Sequence, residues 1–67
     1  MRMFERIPNV TLKLEELWKM FPDLRFWQLI NLIAEDEVFE KGRDPFFLED
    51  DKWLEAIERT IKKYEGR

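Results

Sequence analysis

The side chains in this sequence that are best suited to chemistry are its carboxylates. Eight of the 15 acidic residues stand between positions 35 and 51, together with two basic residues, which gives that segment a local charge of −6. Paired carboxylates hydrolyse glycosides when their environments separate their pKa values, and clustered carboxylates bind Ca²⁺ or Mg²⁺ through oxygen. The eight acidic residues are Glu35, Asp36, Glu37, Glu40, Asp44, Glu49, Asp50 and Asp51.

The groups that most often act beside catalytic carboxylates are missing. The sequence contains no cysteine, no histidine and no serine, so it lacks the commonest general base and the two commonest nucleophiles. The hydroxyl groups that remain, on Thr11, Thr60 and Tyr64, all fall in segments predicted to be helical. A helical domain of this size also rarely forms the deep cleft that shifts a pKa. We therefore expect neither catalytic residues nor a bound cofactor.

The acidic segment does not have the spacing of a known metal-binding loop. An EF-hand needs alternating aspartates followed by a glycine and a glutamate at position twelve, and a zinc cluster needs the missing cysteine or histidine. Glu49, Asp50 and Asp51 instead open a predicted helix, where the helix dipole favours negative charge. We expect a solvated loop and helix start here, and no metal site. An electrostatic surface for a basic partner is the alternative.

Three amphipathic helices are predicted to position these residues, because apolar residues recur at spacings of three and four. The first begins near Pro8, which fits a first helical position, and ends before Pro22, since the residue preceding a proline avoids the helical region. Asp23 is the predicted N-cap of the second helix. The third starts with Glu49–Asp51, has an apolar stripe from Trp53 to Tyr64, and carries Lys62, Lys63 and Arg67 at its C-terminal end.

The end of the second helix has two interpretations. Gly42 is typical of a residue just beyond a helix. A helix extended that far, however, turns Glu37 and Glu40 onto the core face, where a carboxylate is costly. Either the helix stops near residues 34–36, or its last turns project beyond the core. We favour the earlier stop.

These elements predict a small all-α domain over residues 1–67, with three helices and a short extended plug before the last one. Phe46–Leu48 is too short for a helix and is expected to pack into the core as that plug. A chain this short buries only about 60% of its unfolded surface, so dense packing or self-association must stabilise it. The predicted core consists of Val10, Leu14, Leu17, Trp18, Phe21, Leu24, Leu29, Ile30, Ile33, Leu48, Leu54, Ile57 and Ile61.

The second helix has more apolar residues than one core face needs. On an ideal helix, Trp27 and Val38 fall on one flank of the core stripe, and Leu32 and Phe39 on the other. Two other helices wrapped around this one can cover both flanks. The alternative is an exposed apolar surface for a partner or for a second copy of the chain. Burial of Trp27 with Leu32 or Phe39 against a second chain predicts a homodimer.

The charge pattern disfavours nucleic acid and membranes as partners. The isoelectric point is about 4.9, and nucleic-acid binding needs a basic stripe. No stretch approaches the ~18 apolar residues of a membrane span, and the first residues lack a secretory signal, so a cytoplasmic protein is expected. The alternative, a nucleic-acid-associated accessory protein, relies on bases near the two ends. These are Arg2, Arg6, Arg59, Lys62, Lys63 and Arg67.

Two motifs resemble a family of short proteins from Firmicutes bacteria and their phages. The motifs are Trp18 followed by the segment 22–30, PDLRFWQLI, and the segment 44–51, DPFFLEDD. The family pattern is W-x3-PDLRFGQLI, a variable stretch, and then DPFYLED, and the resemblance covers Ile7 to about Tyr64. It implies a bacterial or phage origin and brings no activity with it. The sequence departs from the pattern at Trp27, where the family has glycine, and at Phe47, where tyrosine is usual.

The polar residues of the two motifs suggest a structural role. Arg25 and Gln28 lie one turn apart on the second helix, whereas Glu49 and Asp50 open the third. We expect a bidentate ion pair between Arg25 and one of these carboxylates to tie the two helix starts together. A ligand site formed by the same four residues is the alternative.

These observations favour a protein that works by binding. The aromatic-rich, acidic domain has no nucleophile, so we expect a non-enzymatic interaction module of phage or prophage type that inhibits or regulates a host factor. The predicted partner surface is formed by Trp27, Leu32, Val38 and Phe39.

Overall fold

The computed structural model has the predicted all-α architecture. It describes residues 4–65, and of Asp36 only the backbone. Three α-helices follow one another: α1 at Arg6–Met20, α2 at Phe26–Ala34 and α3 at Asp50–Glu65. A six-residue π-helix at Glu35–Glu40 continues α2 without a break. No strand occurs among residues 4–65.

Helices α1 and α3 pack against each other and run in the same direction, and α2 with the π-helix carries the chain back from the end of α1 towards the start of α3. The starts of α1 and α3 are joined by an ion pair between Arg6 and Asp50 at 2.9 Å. Near their other ends, the rings of Phe21 and Tyr64 meet edge to face, with centroids 5.2 Å apart. The start of α2 therefore lies at the C-terminal end of α1, where Phe26 contacts Trp18.

The core lies where the three helices meet. Its buried residues are Leu17, Leu29, Ile33, Ala56, Ile57 and Ile61, with Val10, Leu14, Trp18, Met20, Phe21, Leu24, Ile30 and Trp53 packed against them. Most of the predicted core is confirmed. Leu48 and Leu54 are only partly buried and lie outside the cluster. Leu54 lines the open space between the starts of α1 and α3.

The predicted plug before α3 is wrong. Phe46 and Phe47 are 84% and 75% exposed. Two turns form instead of an extended segment: the Phe46 N–H donates to Asp44 Oδ1 at 2.9 Å, and the Phe47 N–H donates to the Asp44 carbonyl at 3.2 Å. The backbone is thus satisfied locally, and the helices fill the core without these rings.

The predicted N-cap of the second helix is also wrong. Arg25, in an extended conformation, is the N-cap, and Gln28 Oε1 accepts its backbone N–H at 2.8 Å. Asp23 instead lies in the turn that precedes it, where the Leu24 N–H donates to the Phe21 carbonyl. Trp18 Nε1 donates to the Leu24 carbonyl at 2.9 Å and fixes that turn on α1.

Candidate functional site

The sequence left open whether the second helix stops near residues 34–36 or continues towards Gly42, and each interpretation is partly right. Its α-helical part stops at Ala34, within the range we favour, but the chain stays helical as a π-helix to Glu40. Gly42 follows with φ 69°, and its N–H donates to the Val38 carbonyl. Bonds from i to i+5 place about one more residue in each turn than an α-helix has. This widening leaves Glu40 exposed, whereas Glu37 remains buried.

The expectation that no carboxylate would enter the interior is wrong for Glu37, whose side chain is 4% exposed. Three cations surround it. Lys41 Nζ and Arg59 Nη2 donate to Oε1 at 3.3 and 3.1 Å, and Arg43 Nη1 lies 3.1 Å from Oε2. A buried charge is tolerated when it is paired and hydrogen-bonded. Lys41 and Arg59 hydrogen-bond Oε1, whereas Oε2 has the charge of Arg43 beside it but no hydrogen-bond partner among the described residues.

The ionisation of Glu37 reflects the same contacts. Burial raises the pKa of the Glu37 carboxyl, but the hydrogen bonds from Lys41 and Arg59 and the charges of Lys41 and Arg43 outweigh burial. Its pKa therefore lies below the ordinary value of 4.5. Glu37 is ionised near neutral pH, so it cannot act there as a general acid. We interpret the cluster of Glu37, Lys41, Arg43 and Arg59 as a set of ion pairs that links the π-helix and the loop after it to α3.

Lys41 could have been identified from the sequence, because it follows Glu37 by four residues, the spacing of a helical ion pair. Arg59 could not, since 22 residues separate it from Glu37. Only the tertiary fold, which places Arg59 of α3 beside the π-helix, brings these two residues together.

The residues of the predicted partner surface differ in exposure. Trp27 is 68% exposed and Phe39 is 66% exposed, so the other helices do not cover these rings. Leu32 and Val38 are partly buried. The Trp27 carbonyl accepts a hydrogen bond from the side chain of Asn31, one turn later on the same helix. Ordered backbone therefore presents the Trp27 ring to solvent.

The structure does not bring together the four polar residues of the motifs. Arg25 is exposed at the C-terminal end of α1, whereas Asp50 pairs with Arg6 at its N-terminal end. The 15 residues of α1 separate these two positions, a distance of roughly 22 Å at the rise of an α-helix. The predicted ion pair between Arg25 and Glu49 or Asp50 is wrong, because α1 and α3 are parallel and both acidic residues lie beside the start of α1. Gln28 caps its own helix instead.

Asp50 lies at one side of a groove between the first turns of α1 and α3. The groove has a volume of about 450 Å³. Val10 and Leu54 are its apolar lining, and Glu49 and Asp51 stand beside Asp50 at its acidic edge. The exposed Phe46–Phe47 turn precedes this edge by two residues. The sequence indicated the charge but not the groove.

Two of the bases expected to gather for nucleic acid are already paired within the domain. Arg6 binds Asp50, and Arg59 binds Glu37. Lys62 and Lys63 are exposed in the last turns of α3. Arg2 and Arg67 lie outside the described residues.

Within residues 4–65, no group of three or more His, Cys, Asp or Glu residues is placed to hold a metal ion. In the same part of the chain, no helix combines the length and apolar character needed to cross a membrane.

The fold and the surface together define a small three-helix domain with exposed aromatic rings and an acidic groove. Comparisons with protein families, with curated proteins and with solved structures find no match.

Proposed function

We propose that this protein is a non-enzymatic protein-binding module. The observation that carries the proposal is the exposure of large aromatic side chains on ordered helices, above all Trp27 and Phe39. A partner that covers an exposed aromatic ring removes its apolar surface from water, which favours binding. Tryptophan is also among the commonest hot-spot residues of interfaces. The resemblance to phage and prophage proteins favours a cytoplasmic host protein as the partner, which the module inhibits or regulates.

A second copy of the chain is the simplest alternative partner for this surface. Homodimers bury self-complementary surfaces around a two-fold axis, and burial of Trp27 with Leu32 or Phe39 against a second chain is the form such a dimer would take. Native mass spectrometry separates the two cases: a homodimer appears at twice the 8.4 kDa mass of the chain, whereas a module for another protein appears as the monomer.

Affinity capture from bacterial lysate with matched variants tests the proposal. We expect the wild-type chain to retain a specific protein, and the variant Trp27→Ala/Phe39→Ala to lose it, because the lost rings supply the contact. Leu12→Ala is the control, since Leu12 is similarly exposed, on α1. A wild-type chain that retains nothing specific, or three chains that retain the same proteins equally, contradicts the proposal.

A further inference from the structure

We propose that an apolar pocket between the three helices receives one aliphatic or aromatic side chain of the protein partner. The inference rests on the proposed function and deepens it, because it states what the partner inserts beside the Trp27 ring. Its basis is the apolar wall of the pocket, its volume and its position on α2.

The pocket lies where the three α-helices face one another, and each of them contributes two side chains to it. Its volume is about 140 Å³. Ile33 and Ile57 are both 3% exposed, whereas the other lining residues are only partly buried. We therefore take the two isoleucines as the floor and the others as a rim that opens to solvent. The lining residues are Val10 and Leu14 of α1, Ile30 and Ile33 of α2, and Trp53 and Ile57 of α3.

The wall of the pocket determines the chemistry of its occupant. No polar atom of the described residues lines the pocket, so a water molecule inside it would lack the hydrogen-bond partners that hold buried water in proteins. A charged or polar group would lose its hydration there without compensation. An apolar group instead gains free energy when it leaves water for this wall. The occupant is therefore apolar.

The volume of the pocket favours a single side chain over a free ligand. An apolar cavity of about 150 Å³ in another protein holds one benzene molecule, so this pocket accommodates one ring or one branched aliphatic chain. Free ligands are usually bound in larger pockets, of roughly 300–1,000 Å³, by polar groups that fix their orientation. A side chain of a partner needs no such groups, because the partner's backbone orients it.

The position of Ile30 connects the pocket to the proposed partner surface. Ile30 follows Trp27 by three residues on α2, and side chains at this spacing are neighbours on a helix, with Cβ atoms about 5–6 Å apart. The Trp27 ring is 68% exposed. A partner that covers this ring therefore reaches the rim of the pocket. Residues that contribute most to binding commonly fill such desolvated pockets.

NMR of the full chain with benzene, as a probe for a phenylalanine ring, tests whether the pocket accepts such a group. We expect saturable shifts of the methyl signals of Val10, Leu14 and Ile30 and of the Trp53 indole signal. The Leu12 methyl signals should stay in place, because Leu12 is exposed on α1 outside the pocket. Pyrimidine, a polar ring of the same size, should shift none of these signals.

Binding of the captured partner tests whether a side chain fills the pocket in the complex. Val10→Phe places a ring in the pocket, and we expect it to weaken partner binding by about tenfold or more, the effect of losing a hot spot. Val10→Thr keeps the shape of the side chain but adds a hydroxyl group to the wall. It should weaken both benzene and partner binding by about fivefold.

Leu12→Phe is the matched control, because it adds the same ring at an exposed position of α1. We expect it to bind the partner within about twofold of wild type. Circular dichroism and thermal unfolding verify that each variant is folded. The inference is overturned when benzene shifts no signal from the pocket, or when pyrimidine shifts the same signals equally.

Three other results also overturn the inference. Benzene binding with unchanged partner binding in Val10→Phe and Val10→Thr would identify the pocket as a site for a free small molecule. A dimer that dissociates in Val10→Phe would show that a second copy fills it. Equal weakening by Val10→Phe and Leu12→Phe would point to a general effect on α1. In each case, a partner that is still lost in Trp27→Ala/Phe39→Ala supports the proposed function, and only the assignment of the pocket fails.

Discussion

At the scale of single residues, the burial of the Glu37 carboxylate is the feature that is hardest to predict from the local sequence. Glutamate is almost never fully buried unless it is paired. Lys41, Arg43 and Arg59 provide the pairing, and each of them is about half exposed. In this cluster the carboxylate is buried, whereas the three basic side chains that contact it are partly exposed to solvent.

The depressed pKa of Glu37 predicts a specific pH dependence. A carboxyl whose pKa is lower in the folded than in the unfolded protein stabilises the fold fully above the unfolded value and loses that contribution as pH falls through the folded value. We expect the wild type to lose stability as pH falls below about 4.5, and Glu37→Gln to lose less over the same range. Urea unfolding across that pH range measures both.

Glu40→Gln is the control for this experiment, because Glu40 is exposed on the same π-helical turn. Its pH profile should follow that of the wild type. Parallel profiles for wild type and Glu37→Gln would show that the cluster does not hold Glu37 ionised. At pH 7, Glu37→Gln should be less stable than Glu40→Gln, since it leaves three cations without their shared partner.

At the scale of the elements, the backbone conformation of Gly42, just after the π-helix, contributes to stability. Gly42 ends the π-helix with a positive φ, a conformation that other residues adopt at a cost. Nothing lies within 4 Å of the position that a Cβ atom would take there, so any cost of a side chain comes from the backbone. We expect Gly42→Ala to destabilise the fold by about 1 kcal/mol.

Gly42→Asn is the informative comparison, because asparagine tolerates the left-handed region better than alanine does. Thermal unfolding should rank the three chains in the order wild type, Gly42→Asn, Gly42→Ala. An alanine variant as stable as the wild type would mean that the left-handed turn is not populated in solution.

The start of α2 gives a second prediction at this scale. Gln28 Oε1 accepts the Arg25 N–H, and losing the acceptor half of such a cap costs about 1 kcal/mol. We expect Gln28→Ala to show this loss in urea unfolding and Gln28→Glu, which keeps the acceptor, to show little. Equal losses in the two variants would point to some other role for the residue.

At the scale of the whole molecule, a small core has to stabilise the fold. Leu17 is fully buried, so Leu17→Ala should cost about 2–5 kcal/mol. That is a large part of the total expected for a chain this short. Ile57→Val should cost about 1 kcal/mol. Leu12→Ala changes an exposed side chain and should have almost no effect, and urea unfolding distinguishes the three.

The sequence predicted what depends on periodicity and missed what depends on tertiary arrangement. The stripe from Val10 to Phe21 placed α1 and most of its core residues correctly, because burial follows the helical repeat. The predicted ion pair between Arg25 and Glu49 or Asp50 was wrong, since no local pattern shows that α1 and α3 are parallel. Phe46 and Phe47 were assigned to the core on hydrophobicity alone, although Asp44 holds them in exposed turns.

The surface predictions divide in the same way. Trp27 and Phe39 lie off the core stripe of an ideal helix, and both are exposed. The groove lined by Val10 and Leu54 could not be predicted, because its two walls are more than forty residues apart in the chain. Such a site exists only once the starts of α1 and α3 are side by side.

The most direct test of the protein-binding account is site-specific photocrosslinking in bacterial cells. A photoreactive phenylalanine analogue replaces Trp27 in one variant and Leu12, on α1, in the other. The account predicts a covalent adduct with one specific protein from position 27 and none from position 12. No adduct from position 27, or the same adducts from both positions, would contradict it.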